Sequence, residues 1–499
     1  MSYDIFDVVD GKSSVFFVGG TGTKAGLANP GGCTKEWWDA KVISVGEAAA
    51  MAALIGTNGG AIDSATTAAI SNNGSGKLRI TKSGAFTNTE VGMVGYFDFS
   101  ATYPDDYYEV TAVDASGNYI DILIGYTTSV PTVNVTIGGA FNDIQTAHDE
   151  VDAGYQDVTL YDNKGDSNRS ATIAWTRGGS EATDAYLRIK GFQTTPEDDG
   201  PVLYNYNGNN PVGAGHGLYI GTGAVANMYN TQFENFHVRG VGDGASYTYN
   251  LQIYSNTYAI RGLLFYKCDF YDGGDGAGGG KCINAMRYYQ ASGSEIQALF
   301  IDCDFYDGDS SGMTVTSVAN QQYGHIGFVN CRAYGNTHVG FSMRGASAFG
   351  CASYNNGLYG VDTTNQSGMW VNGIIAGNLD GWKKRGTINQ GYLINSIISD
   401  NTQSEVEQGS GGALRSINSV INGTIDTGAI SNVFPHPTDN VTDDPRLANV
   451  AGGDLRIRNT KIKRSGITDI HGNATQLGPP TIEIPSRSGE NSLVNQFTT

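Results

Sequence analysis

Four stretches of the chain repeat one pattern: Phe265-Tyr-Lys-Cys-Asp-Phe-Tyr271, Phe300-Ile-Asp-Cys-Asp-Phe-Tyr306, Phe328-Val-Asn-Cys-Arg-Ala-Tyr334 and Phe349-Gly-Cys-Ala-Ser-Tyr354. The position held by cysteine is occupied upstream by Phe236 and downstream by Gly373, Ser396 and Ser419. Successive steps from residue 331 are 20, 22, 23 and 23 residues, and the earlier steps are longer. A repeat of this length accommodates three short strands and three turns, so it predicts one coil of a solenoid.

Asparagine recurs in phase with this repeat. The residue before the small position is Asn330, Asn372, Asn395 or Asn418 in four of the coils, and these side chains are predicted to form a ladder. A second series marks the turn that follows: Asn336, Asn356, Asn378 and Asn401. Asparagine tolerates the left-handed backbone conformation and bonds its own backbone in turns.

These two aligned periods resemble the pectate-lyase-like family of right-handed β-helices, clearly over 230–430 and in extension from 140 to 475. The resemblance implies an all-β fold, a right-handed single-stranded parallel β-helix. The small position would then face inward as an interior stack: Phe236, Cys268, Cys303, Cys331, Cys351, Gly373, Ser396 and Ser419. Free cysteine behaves as a small hydrophobic residue, so packing is favoured over metal binding or redox chemistry.

The chain divides into three parts. Residues 141–478 are predicted to form the β-helix, and the helical spacing of Phe141, Ile144, Ala147 and Val151 predicts a capping helix over 141–153. Residues 1–140 are predicted to form an N-terminal anchoring region that contains a small β domain within about 77–130. Residues 479–499 are expected to be an extended C-terminal arm.

Composition restricts the function. The formal net charge of −19 disfavours nucleic acid as a partner. The N-terminus lacks the basic and apolar regions of a signal peptide, and no stretch reaches the ~18 apolar residues of a spanning helix. We therefore expect assembly in a host cytoplasm, release by lysis and no insertion into a membrane.

A search for catalytic motifs yields no assignment. The motifs of pectate lyases are absent, and the pieces that resemble polygalacturonases, Arg188-Ile-Lys190, Asp198-Asp199 and Gly215-His-Gly217, occur in the wrong order without Asn-Thr-Asp. Asp269 and Asp304 should point outward on adjacent coils, where a like-charge pair can raise one pKa. Arg332 in the same column is expected to neutralise Asp304. We assign no catalytic residue, metal ligand or cofactor.

Three surface features remain open. The loops at 272–280 and 307–312 contain aspartate and glycine and are interpreted as turns rather than calcium sites. Tyrosines are frequent over 247–289, either as ordinary strand residues or as a binding surface. A basic cluster is a candidate docking patch: Arg456, Arg458, Lys461, Lys463 and Arg464.

Three functions are compatible with these observations. The layout resembles tailed-phage appendages, which implies a non-catalytic virion surface protein, such as a capsid decoration protein, head fibre or tail appendage. By that analogy the chain would form a homotrimer, contact other virion proteins and bind host-surface polysaccharide. The alternatives are a tail-spike hydrolase or lyase that degrades polysaccharide, and a bacterial surface or filament protein.

Overall fold

The structure is a computed structural model of the 499-residue chain. It describes residues 14–18, 63–137, 144–145, 148, 158–425, 444–458, 467–468 and 474–475. Positions inside these ranges that it does not describe are 88, 90, 92–93, 100–102, 105, 129–131, 163–164, 177, 179–185, 193–199, 210–214, 222–226, 243–247, 256–258, 274–280, 288–294, 318–323, 365–366, 386–390, 409–413 and 418.

The N-terminal region contains a closed antiparallel barrel of six strands. Its strands are β2 (Asp63–Asn72), β3 (Lys77–Thr81), β4 (Val94–Phe99), β5 (Asp106–Val113), β6 (Tyr119–Gly125) and β7 (Val133–Ile137). Alternate residues point inward, and the barrel closes over an apolar core that includes Leu78, Ile80, Phe97 and Ile120. The small N-terminal β domain predicted from the sequence is confirmed, with one further strand at either end of the predicted span.

Three parallel sheets contain most of the remaining described strands. Sheet 1 contains, in spatial order, β1 (Ser14–Val18), β8 (Val158–Asp162), β10 (Leu187–Gly191), β13 (Met228–Glu234), β16 (Ile260–Tyr266), β19 (Ile296–Ile301), β22 (Gly324–Val329), β25 (Ala346–Phe349), β28 (Gly368–Val371), β31 (Gly391–Ile394) and β34 (Leu414–Ile417). Sheet 2 contains β11 (Val202–Asn205), β14 (Phe236–Arg239), β17 (Asp269–Tyr271), β20 (Asp304–Tyr306), β23 (Arg332–Tyr334), β26 (Ala352–Tyr354), β29 (Ile374–Ala376), β32 (Ile397–Ser399) and β35 (Val420–Asn422). Sheet 3 contains β9 (Ile173–Trp175), β12 (His216–Gly221), β15 (Tyr249–Ser255), β18 (Lys281–Arg287), β21 (Met313–Ser317), β24 (Val339–Ser342), β27 (Tyr359–Thr364), β30 (Asp380–Arg385) and β33 (Ser404–Gln408).

From β10 to β33, each coil takes one strand from sheet 1, then one from sheet 2, then one from sheet 3, and each strand pairs in parallel with its counterpart on the next coil. The right-handed parallel β-helix predicted from the sequence is therefore confirmed. The turn from sheet 1 to sheet 2 requires one residue with positive φ. Asn235, Asn330, Asn372 and Asn395 hold this position with φ between 48° and 53°, as do Lys267 and Asp302.

The interior of the solenoid is filled by stacked side chains. Phe233, Phe265, Phe300 and Phe328 on sheet 1 lie one above another with ring centroids 5.2, 4.7 and 5.1 Å apart. Phenylalanines of sheet 2 meet this stack edge-on, as Phe305 does with Phe300 at 5.8 Å. Offset stacking and edge contacts are the arrangements that aromatic rings favour, so the stack fixes the register of successive coils.

Residues before the solenoid cover its first coil. The described helical residues of the predicted cap are 144, 145 and 148, and the rest of 141–153 lies outside the described residues, so the capping helix is not confirmed. Gln145 donates to the carbonyl of Ala174 at 3.1 Å and accepts from its N–H at 2.7 Å, while His148 Nε2 accepts from the N–H of Thr176 at 3.1 Å. These bonds satisfy the open edge at β9, the outermost strand of sheet 3.

Two terminal segments also join the solenoid. Residues 14–18, which the sequence places in the N-terminal region, pair as β1 with β8 and extend sheet 1 by one strand. Near the other end, β36 (Leu447–Asn449) and β37 (Asp454–Ile457) form an antiparallel hairpin, as do β38 (Ile467–Thr468) and β39 (Ala474–Thr475). The proposed boundary at residue 140 therefore does not separate all the strands of the two bodies.

Candidate functional site

The outer face of sheet 2 carries a column of four ionisable side chains on successive coils: His237, Asp269, Asp304 and Arg332. Asp269 pairs in register with Asp304, and Asp304 pairs with Arg332. The next residue on each of the two aspartate strands, Phe270 or Phe305, is fully buried in the core. Since alternate strand residues face opposite sides, both carboxylates point outward, as the sequence predicted.

Each carboxylate in this column has a basic neighbour. Arg332 Nε donates to Asp304 Oδ1 at 2.7 Å and a terminal guanidinium nitrogen donates to Oδ2, so the pair is bidentate. His237 Nδ1 lies 3.6 Å from Asp269 Oδ2. Burial opposes the charge on Arg332, but Asp304 outweighs it and raises the pKa of the guanidinium. Both carboxylate oxygens of Asp304 thus accept hydrogen bonds from one guanidinium, which is the geometry of a structural ion pair.

A second column, two residues further along each strand, is a ladder of tyrosines. Tyr271, Tyr306, Tyr334 and Tyr354 lie face to face with ring centroids 4.6, 4.8 and 4.9 Å apart and planes within 8° of parallel. The guanidinium of Arg239 extends the column, 5.7 Å from the Tyr271 ring centroid. Because each inner ring has a ring on both faces, the ladder presents edges and hydroxyl groups to its surroundings.

Burial sets the chemistry of these phenols. Burial, and then the charge of Asp269, raises the pKa of Tyr306. Burial raises the pKa of Tyr354 to about 12. Tyr306 and Tyr354 therefore remain protonated at neutral pH, and their hydroxyl groups can act as hydrogen-bond donors.

On the coils that follow Arg332, the same outer face of sheet 2 is apolar and is covered by a later segment of the chain. Ala352, Ile374, Ile397 and Val420 continue the charged column on the next four coils, and Leu455 of β37 packs on this cluster with only 1% of its surface exposed. Asn355 fixes the covering segment by donating to the carbonyls of residues 450 and 451 at 3.1 and 3.2 Å. Tyr354 is part of this covered cluster, and Asp269 and Asp304 expose only 3% and 5% of their surface. The partly exposed side chains of the two columns include Tyr271, Tyr306, Arg332 and Tyr334.

The interior stack proposed from the sequence occupies one column in the structure, and all eight of its residues are buried. Besides being small, its cysteines and serines make the same hydrogen bond to the backbone. Cys303 Sγ donates to the carbonyl two residues before it at 3.3 Å, and Ser396 Oγ does so at 2.7 Å. Ser396 Oγ also accepts from the N–H of Gly373 on the preceding coil at 3.1 Å. A small hydrogen-bonding side chain therefore serves the backbone of this turn.

Both asparagine series can be placed. Of the first, Asn395 donates to Asn372 at 2.6 Å and Asn330 donates to Asp302, while Asn418 lies outside the described residues. The second series forms the longer ladder, in which each side-chain amide donates to the next. Its three steps join Asn336, Asn356, Asn378 and Asn401 at 2.9, 2.9 and 3.0 Å.

Sequence reasoning did not identify the residue that ends this second ladder. Asn401 donates to the carboxylate of Glu405, which is buried on the following strand. Burial raises the pKa of Glu405 to about 7, against the lowering effect of the Asn401 hydrogen bond. A glutamate four residues after an asparagine carries no sequence signal of its own, so this contact required the three-dimensional structure.

The remaining candidates are not brought together. Arg188 and Lys190 lie on sheet 1 and bind Glu234, with Arg188 Nε donating at 3.1 Å and Lys190 Nζ 3.5 Å away. His216 lies on sheet 3, where burial lowers its pKa to about 4, and residues 198–199 are outside the described part of the chain. These fragments therefore do not assemble into a polygalacturonase-like site among the residues that can be placed.

The candidate docking patch is only partly visible. Arg456 donates to both carboxylate oxygens of Asp454, at 2.8 and 2.7 Å, and Arg458 is exposed. Lys461, Lys463 and Arg464 lie outside the described residues, as do positions 274–280 of the first aspartate–glycine loop.

Within the described ranges, no group of three or more His, Cys, Asp or Glu side chains is arranged to hold a metal ion, and no helix is long and apolar enough to cross a membrane.

Comparisons with known proteins find only distant structural similarity. No protein-family model matches the chain, and no curated protein matches it either. Among solved structures, the pectate lyase Pel9A is 14% identical with a TM-score of 0.42, over 68% of this chain and 91% of that chain. ORF18 of Geobacillus virus E2 is 14% identical with a TM-score of 0.33, over 55% and 56%. The tailspike gp49 of Pseudomonas phage LKA1 is 11% identical with a TM-score of 0.21, over 73% and 62%. At these identities the likeness extends to the fold alone.

Proposed function

We propose that this chain is a non-catalytic structural component of a phage particle, a capsid decoration protein, head fibre or tail appendage. In this role the β-helix is a rigid body that presents its outer faces for assembly or attachment to a host surface. Its partners would be further copies of itself, as a trimer by analogy, other virion proteins and host-surface polysaccharide.

The observation that carries the non-catalytic part is the ion pair between Arg332 and Asp304. A carboxyl group that acts as general acid must carry a proton near neutral pH. Asp304 accepts two hydrogen bonds from a guanidinium instead, and the tyrosines beside it use their ring faces on each other. This arrangement suits a surface that stays the same through assembly.

The particle assignment rests on the layout of the chain. A small N-terminal barrel, a solenoid and further C-terminal sequence follow one another, which resembles the organisation of phage appendages. Asparagine and aromatic ladders run through the solenoid and oppose the sliding of one coil on another. Such a body keeps its shape under load, as an external part of a particle must.

The test is a copy-number measurement on gradient-purified particles of the phage that encodes the chain. Quantitative mass spectrometry against the major capsid protein should give a fixed number of copies, a multiple of three, retained after a high-salt wash. Absence of the chain from purified particles would overturn the proposal.

One observation favours the enzyme alternative. Asp269 and Asp304 are adjacent in register, so their backbones lie ~4.8 Å apart, and paired carboxylates are the usual catalytic groups of glycoside hydrolases. Cleavage of a surface polysaccharide by the wild-type protein would support this alternative over the structural role.

A further inference from the structure

The outer face of sheet 1 is largely apolar along seven successive coils. Two columns of outward residues, two positions apart on each strand, run from β16 to β34. We call the apolar members of these columns the sheet 1 outer face: Leu264, Tyr266, Leu299, Ile301, Val329, Phe349, Met369, Val371, Tyr392, Ile394 and Ile417.

Burial of the intervening residues establishes that these side chains point outward. Phe265, Phe300 and Trp370 alternate with them and are fully buried in the core. Leu299 and Phe349 are each 36% exposed, and most of the others are half-buried by their neighbours on the sheet. The columns have three gaps. Two are small: Gly327, beside which the Leu299 side chain lies, and Ser347. The third is Arg415 on the last coil, whose guanidinium lies 5.9 Å from the ring centroid of Tyr392.

The outer face of sheet 3 is the contrasting case on the same solenoid. The equivalent outward column there is polar or charged on coil after coil: Gln252, Thr314, Ser342, Asp362, Lys383 and Glu407. The two faces belong to the same coils and have the same strand geometry, so the fold does not require apolar residues outside. Sheet 1 carries them for another reason.

The dimensions of the face match the core of a protein interface. Seven strands about 4.8 Å apart extend about 34 Å, and two columns about 7 Å apart with their side chains cover about 14 Å. The resulting area of about 500 Å² lies near the upper end of the apolar patches found on monomers. A standard interface buries about 800 Å² per partner, with an apolar centre and a polar rim.

We propose that the sheet 1 outer face is an interface between copies of this chain, which pack side by side through it. A flat face with ridges at every strand spacing is matched by a partner with the same spacing, and a second copy of the solenoid provides it. The chain already covers its other apolar outer strip, on sheet 2, with residues 447–457. This inference rests on the self-association that the proposed function includes and assigns it to one face. The purified chain alone tests the interface, whereas the particle measurement tests the function, so the two can fail separately.

The test is sedimentation velocity of the purified full-length protein and of charge variants. The wild type should sediment as a multiple of one chain at about 20 μM. Leu299→Glu and Phe349→Glu each place a carboxylate in the apolar centre, which should raise the dissociation constant about a hundredfold or more. Leu203→Glu is the matched control, because Leu203 is 37% exposed on the outer face of sheet 2, and it should assemble like the wild type.

A second measurement keeps the proposal testable if a charge variant fails to fold. Ser347→Cys places a thiol within the face, and mild oxidation should join two copies by a disulfide that neither the wild type nor Leu203→Cys forms. A wild-type protein that sediments as one chain would overturn the proposal. So would folded Leu299→Glu and Phe349→Glu variants that assemble like the wild type.

Discussion

Replacing Asn356 with alanine should weaken the middle of the solenoid severely. Its amide donates to Asn378 Oδ1 at 2.9 Å and to the Ala333 carbonyl at 3.2 Å, and its Oδ1 accepts from the Asn336 N–H at 3.2 Å. Alanine leaves a buried N–H and a buried carbonyl without these partners, and each such group costs about 1–3 kcal/mol. We expect a loss of about 4 kcal/mol in the free energy of unfolding.

The matched control is Asn395→Ala on the outer series. Asn395 has φ 48° and makes one partly buried side-chain bond, to Asn372, so its replacement should cost about 1 kcal/mol. Urea unfolding followed by tryptophan fluorescence gives the two values, and hydrogen exchange should locate the loss of protection in the coils around residues 331–401. Equal losses for the two variants would refute the interior ladder as a stabilising element.

Three further predictions concern single contacts. Burial raises the pKa of Glu405 to about 7, above its unfolded value, so the folded state binds the extra proton and wild-type stability should fall from about pH 4.5 to about pH 7, by about 3 kcal/mol at most. Glu405→Gln should remove that slope in pH-dependent melts, and parallel slopes would contradict the assignment. Gly373→Ala should cost about 1–3 kcal/mol in urea unfolding, because the new Cβ would lie 2.3 Å from Trp370 Nε1, whereas Gly125→Ala has open space and should cost less than about 1 kcal/mol. Leu455→Asp should detach the hairpin and speed proteolysis within residues 444–458, and an unchanged cleavage rate would show that Leu455 does not hold it.

Much of the fold follows from local features of the sequence. A small residue after Asn330, Asn372 or Asn395 marks an inward position, because the asparagine takes the left-handed conformation that the turn requires. Side chains of the strand after the turn alternate between the inner and outer faces, so the sequence alone predicts that Asp304 and Arg332 share one outer column. Period and alternation are properties of neighbouring residues, and the sequence displays them directly.

Other features depend on contacts between distant residues. Gly373 holds its place because Trp370 fills the space where a Cβ would lie. Asn355 binds a segment 95 residues later, and residues 14–18 pair with β8, so neither contact leaves a local pattern. The closure of the N-terminal strands into a barrel depends on the pairing of β2 with β7, which lie at opposite ends of the domain. Such pairings are set by packing in three dimensions.

The central claim, that the outer carboxylates are structural, is tested most directly by Asp304→Asn. The account predicts that wild type and variant both release no reducing ends or unsaturated products from a panel of host-surface polysaccharides. The variant should also lose about 3 kcal/mol of stability, because Arg332 keeps its charge without its partner. Robust cleavage by the wild type that disappears in a folded Asp304→Asn variant would contradict the account.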